Sequence, residues 1–235
     1  MTRIVVPALT QTFNVRSVMP TPHPSLATFA HPARLALQDG SVYYGQGFGA
    51  TGRGIVQAAE VVFNTAMVGY QEALTDPSYT GQVLVMTYPM MGNYGVNDED
   101  VESKKVQVAG FVVRELAQEH SNFRASASLS DYLARNGVLG IAGLDTRALT
   151  RRLRSAGVMQ GVLTDVAASE LSDEALVEKA RQAPSMNGQN LVPLVGCTNK
   201  QTWNETLGEW SLDEQLPGDP LRTHGAGPRG AHHPG

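Results

Sequence analysis

A thiol, an imidazole and a turn hydroxyl are the groups in this sequence best suited to chemistry. Cys197 is the sole cysteine, in Val195-Gly196-Cys197-Thr198-Asn199. A thiol becomes a useful nucleophile when a base or local field lowers its pKa. Between Arg34 and Leu216 the one histidine is His120, in Glu119-His120-Ser121. Nothing in the sequence pairs the two, so Cys197 reads as a buried or connector cysteine. Ser78 lies in Thr75-Asp76-Pro77-Ser78, where Pro77 presets φ and Asp76 and Ser78 have the chemistry to bond nearby N–H groups. Its hydroxyl both donates and accepts, which suits the amino and carboxylate groups of an amino acid. It suits equally a turn that stabilises only itself. Gly47, Gly49 and Gly52 match G-x-G-x-x-G, but Arg53-Gly54 and a β-branched run follow instead of a helix. A dinucleotide fingerprint needs that helix, so a glycine-rich loop between strands is expected. His224, His232 and His233 have only Asp219 nearby and no cysteine, which makes a poor metal site.

The elements that would position Ser78 are dense around it. From Glu60 to Glu102, two short apolar runs, Val61–Phe63 and Val83–Met86, are bounded by turn residues and read as buried strands. After the second, Tyr88-Pro89 opens a loop punctuated by Gly92, Asn93, Gly95 and Asn97. Its acidic end, Asp98, Glu99, Asp100 and Glu102, fits a binding loop on a rigid scaffold. Upstream, Leu35 to Tyr44 reads as a hairpin around Asp39-Gly40. Downstream, Val106–Val113 is a third apolar run. Ser128 and Asp131 have capping-box spacing, and Asp145 is a good N-cap for a helix stopped by Gly157. Ala148, Leu149, Leu153 and Ala156 form its expected apolar face. Arg147, Arg151 and Arg154 fall on the other, as a solvated row or a contact with a partner. A further helix spans Asp173–Gln182.

Read as strings, VVFNTAMVGYQEALTDPSYTGQ, TYPMMGNYGVNDEDVES, Ser121-Asn122-Phe123-Arg124 and GLDTRALTRRLRSAGVMQGVL strongly resemble one family. They are similar to the N-terminal domain of the small, glutamine-using subunit of carbamoyl phosphate synthetase, over roughly residues 34–216. Ala59 stands where the family usually has Gly, and Val68 where it has Thr. The resemblance implies a mixed, β-rich α/β fold of the swivelling β/β/α type at residues 33–184. It implies docking on the large synthetase subunit, which uses ATP and Mg; no cofactor is expected in this chain. It also implies that Ser78 contacts substrate glutamine when a complete pocket is present. The family's amidotransferase domain carries its Cys nucleophile on an elbow like G-x-C-x-G-H-Q, with a downstream His and Glu. Nothing in these residues matches that elbow, so a form truncated before that domain is expected, with no catalytic residue of its own.

Composition bounds the rest. Hydrophobic residues make up 42% and charged residues 17% of 235, enough for a core. The net charge of −4 gives no reason to expect nucleic acid or an anionic membrane as partner. One cysteine excludes an internal disulfide framework. No apolar run approaches the ~20 residues needed to cross a bilayer, and a cytoplasmic location is expected. Residues 1–32 hold five prolines and no acid, which reads as a disordered extension, with a faint likeness to a transit peptide. Residues 185–216 read as a connector toward the missing domain, with Trp203 and Trp210 as isolated anchors. Asn204-Glu205-Thr206 matches a glycosylation acceptor, discounted for want of a secretory signal. Residues 217–235, rich in Gly and Pro, read as a disordered tail foreign to the family.

Overall fold

The computed structural model describes residues 30–157, 159–186, 188–197, 199–200 and 202. The expectations for residues 1–29, for Trp203, Asn204 and Trp210, for His224, His232 and His233, and for the 217–235 tail lie outside the described residues. Clustering of contacts divides the chain into a unit through Leu191 and a second from Val192. The second holds one short helix, Val192–Val195.

Turn chemistry and alternation build the first unit. Strand β1 (Pro32–Leu37) turns through Gly40, at φ 97°, into β2 (Val42–Gly49), with Ala36 opposite Val42. That is the expected hairpin. The glycine-rich segment after it is a strand rather than a loop as far as Gly49. Its glycines are required by close approach: a Cβ on Gly45 would lie 2.2 Å from the Ala142 carbonyl oxygen. Strand β3 (Val56–Asn64) is longer than its apolar run, whereas β4 (Val83–Met86) coincides with its own. The third apolar run supplies only the short β6 (Gly110–Val112). Strands β8 (Leu139–Ala142) and β9 (Gln160–Thr164) complete a closed barrel in the order β1-β2-β8-β6-β4-β3-β9. Two-residue strands β5 (Met90–Met91) and β7 (Glu115–Leu116) pair separately.

The barrel has two halves. Strands β3, β4, β6 and β8 run parallel, while β2, β1 and β9 join them by antiparallel pairs. Side chains alternate across the wall, as strand geometry requires. Val83 and Val85 join an inner cluster with Leu35, Val61, Ile141 and Leu163. Leu84 and Met86 join an outer one with Tyr70, Leu74 and Phe111. Helices α1 (Tyr70–Thr75) and α2 (Leu129–Arg135) cover that outer face. Helix α4 (Asp173–Gln182) covers β1 and β9 through Leu176, Val177 and Ala180.

Helix α3 (Thr146–Ala156) begins where Asp145 accepts the Ala148 N–H at 2.9 Å, and it ends at Gly157, as expected. Leu149 and Leu153 pack into the inner cluster. Its buried face departs from expectation: Ala148 and Ala156 are exposed, and Thr146 is buried instead. Its leucines enter the inner cluster, and the small alanines lie outside that contact. Arg147, Arg151 and Arg154 are exposed on its free side.

Candidate functional site

The motif Gly69-Tyr70-Gln71-Glu72 starts α1 without a side-chain cap at its N-cap, Gly69. A helix start leaves N–H groups unpaired. Here the Tyr94 hydroxyl accepts two of them, from Gly69 at 2.8 Å and Tyr70 at 3.2 Å. The Tyr70 and Tyr94 rings stack with centroids 4.2 Å apart, and the Tyr70 hydroxyl donates to the Gly95 carbonyl at 2.5 Å. Burial, with Tyr94 alongside, pushes the Tyr70 phenol well above its ordinary value. Gln71 is wholly buried and bonds both backbone groups of Asn97: it donates to the oxygen at 2.5 Å and accepts from the nitrogen at 2.9 Å. At the far end, Thr75 accepts the Glu102 N–H at 2.9 Å. Two distant pieces of sequence are thereby bolted into one unit.

That unit holds the turn carrying Ser78. Residues Pro77–Tyr79 form a single 3-10 turn, capped by Asp76, whose carboxylate accepts the Ser78 N–H at 2.7 Å. Thr80 donates to the Pro77 carbonyl at 2.7 Å, and Asn64 donates to the Tyr79 hydroxyl at 3.1 Å. The Ser78 side chain is exposed, and its hydroxyl makes no hydrogen bond among the described residues. Asp76, not Ser78, stabilises this turn.

Cys197 is exposed in the second unit, and His120 is exposed in the first, beside Gly95. No cluster of three or more metal-ligating side chains occurs among the described residues. The acidic loop is less available than its sequence implies. Arg124 bonds Glu99 at 2.7 Å and Asp100 at 2.9 Å, and Asn97 donates to Asp100 at 2.7 Å.

Two features escaped the sequence reading. Glu72, in α1, has a buried carboxylate oxygen with no hydrogen-bond partner. Burial, reinforced by Asp100 and Glu102, raises its pKa above the ordinary carboxylate range. Its one sequence signal is a position inside an otherwise buried helix. Arg34, 2% exposed in β1, donates to Asp173 at 2.6 Å and to the carbonyls of Val166 at 2.9 Å and Leu171 at 2.7 Å. Tyr44 also donates to Asp173, and burial with that carboxylate pushes its phenol up to about 12. No spacing in the sequence links residues so distant.

Fold and site together define a strand-rich α/β barrel domain that presents a serine turn. Residues 35–163 match the family described as carbamoyl-phosphate synthase small chain, CPSase domain. Carbamoyl phosphate synthase small chains from three organisms are among its relatives. That of Rhodopirellula baltica is 51% identical over 79% of this chain and 46% of its own. Those of Akkermansia muciniphila and Aquifex aeolicus are 57% and 53% identical, over 70% and 74% of this chain and 42% and 45% of theirs. The chain belongs to the carbamoyl phosphate synthase small-chain family. It spans about half the length of the curated relatives it matches. No helix among the described residues is long and apolar enough to cross a membrane.

Proposed function

We propose that these residues form the swivelling β/β/α domain of a glutamine-dependent carbamoyl phosphate synthase small subunit. On this reading the domain docks on the large subunit, in the cytoplasm, and contributes Ser78 to the edge of a glutamine pocket. The remainder of that pocket belongs to an amidotransferase domain, which releases ammonia from glutamine. The large subunit, using ATP and Mg, consumes it for the carbamoyl phosphate of pyrimidine and arginine synthesis. The observation that carries the reading is Ser78: an exposed hydroxyl with no hydrogen-bond partner among the described residues, on a turn whose shape is held by Asp76 and Pro77. A rigid turn presenting a free donor and acceptor is what recognition of an amino acid's charged groups requires.

The 235 residues contain no G-x-C-x-G-H-Q elbow. By themselves, therefore, they bind the large subunit but do not hydrolyse glutamine, because no binding contact replaces a nucleophile. Ammonia release by the purified chain with the large subunit should equal the protein-free blank. Release that disappears on Cys197→Ala would overturn this. In a small subunit carrying both domains, Ser78→Ala removes one hydrogen bond to a charged ligand group. That costs about 1.5–3 kcal/mol, or roughly 10- to 150-fold in glutamine affinity. Ammonia-dependent synthesis should be spared, since it bypasses the pocket. Unchanged glutamine affinity would remove Ser78 from the site.

A further inference from the structure

Ser78 precedes β4, at its N-terminal end; a second feature lies at the opposite end. Thr65 follows β3, Thr87 and Pro89 follow β4, and Arg114 follows β6, so these residues gather at the carboxyl ends of parallel strands. They line one concavity of about 610 Å³ with Thr146, Arg147, Thr150, Arg151 and Arg154 of α3. Four guanidinium groups line this concavity, and no carboxylate does. Arg147, Arg151 and Arg154 make no ion pair among the described residues, and Arg114 meets only its neighbour Glu115, at 3.8 Å. Arg152, by contrast, is spent on Asp39. The Thr150 hydroxyl is buried and has no hydrogen-bond partner. An unneutralised cluster of this kind, on a chain of net charge −4, attracts anions locally rather than through the field of the whole molecule.

We propose that this arginine-lined concavity is the docking site for a carboxylate-bearing segment of the large synthetase subunit. The proposal rests on the docking reading above and deepens it by placing the contact. Arg147 to Arg154 spans roughly 10 Å along the helix, the length of about three residues of extended chain. Guanidinium forks bind carboxylates in bidentate fashion, and the threonines supply further donors. No aromatic side chain lines the concavity, so a nucleobase has nothing to stack on. In the acidic loop, by contrast, Arg124 already pairs with Glu99 and Asp100.

The test measures association of the full 235-residue chain with the large subunit of the same organism, across a salt series. Charge reversal with Arg147→Glu and Arg151→Glu together should weaken binding about 10- to 100-fold, mostly by slowing association, and flatten its salt dependence. Arg154→Ala, which removes only an exposed side chain, should move in the same direction by less. Asp98→Lys in the acidic loop should leave affinity unchanged. A hexaglutamate peptide should compete with the large subunit, and pyrophosphate should compete less well. If wild type and both arginine variants bind alike, docking stands and this site is overturned. If pyrophosphate competes and hexaglutamate does not, the concavity is a small-anion site and the proposal fails. If folded wild-type chain does not bind the large subunit at all, the docking reading fails and takes this inference with it.

Discussion

Glu72 shows how one side chain writes a pH dependence into this fold. Its folded pKa lies above the ordinary carboxyl value, chiefly because burial penalises the charge. The native state therefore holds more protons than the unfolded chain between those two values. Stability falls as pH rises through that window, and the penalty is complete above the raised pKa. Glu72→Gln should raise the denaturant midpoint at pH 7, and the gain should disappear below about pH 4, where the carboxyl is protonated in both states. An equal gain at every pH would assign the effect to packing instead. Glu72 occupies the same short helix that positions the Ser78 turn, so this residue also bears on how firmly the turn is held.

Among the elements, α4 is held by a buried strand arginine as well as by its apolar face. Arg34 ties β1 to Asp173 in the first turn of α4 and to the two carbonyls that lead into it. Arg34→Ala leaves the two carbonyls without their donor inside the fold and leaves Asp173 with Tyr44 as its remaining donor. Leaving a buried acceptor without its donor in this way costs about 1–3 kcal/mol. Hydrogen exchange should show the amides of α4 losing protection before those of β4. Uniform loss throughout would mean that α4 and the barrel open as one unit. The loop from Gly92 to Asn97 has the same dependence on α1, through Tyr70, Gln71 and Tyr94. In both places a polar side chain adds fixed hydrogen bonds to the apolar packing of the element it holds.

At the scale of the molecule, the barrel closes between segments far apart in sequence. Strand β9 pairs with β1 on one side and β3 on the other, with Leu163 opposite both Leu35 and Gln57. Leu163 is fully buried in the inner cluster, which also receives Leu149 and Leu153 from α3. Leu163→Ala should cost about 2–5 kcal/mol and shift one cooperative transition rather than add a second. A separate early transition would show that α3 and β9 unfold apart from the parallel half. Because the closing pair joins strands near opposite ends of the described chain, folding should be slow, on the order of milliseconds to seconds.

Local chemistry was legible in the sequence wherever neighbours in the chain settle it. The hairpin at Gly40, the caps at Ser128 and Asp145, strand Val83–Met86 and the Asp76-Pro77 turn all depend on residues a few positions apart. Family membership was legible for the same reason, since Gly69-Tyr70-Gln71-Glu72 and the turn after it survive as a string. Tertiary structure alone decided what each polar group spends its bonds on. Asp76 caps the turn, Arg124 pairs with Glu99 and Asp100, and Arg147, Arg151 and Arg154 make no ion pair among the described residues. It also turned half of a glycine-rich segment into strand, because Gly45 lies against the Ala142 carbonyl. Hydrogen bonds and ion pairs act over a few ångströms of space, and sequence spacing specifies such distances only within a turn, a helix or a hairpin.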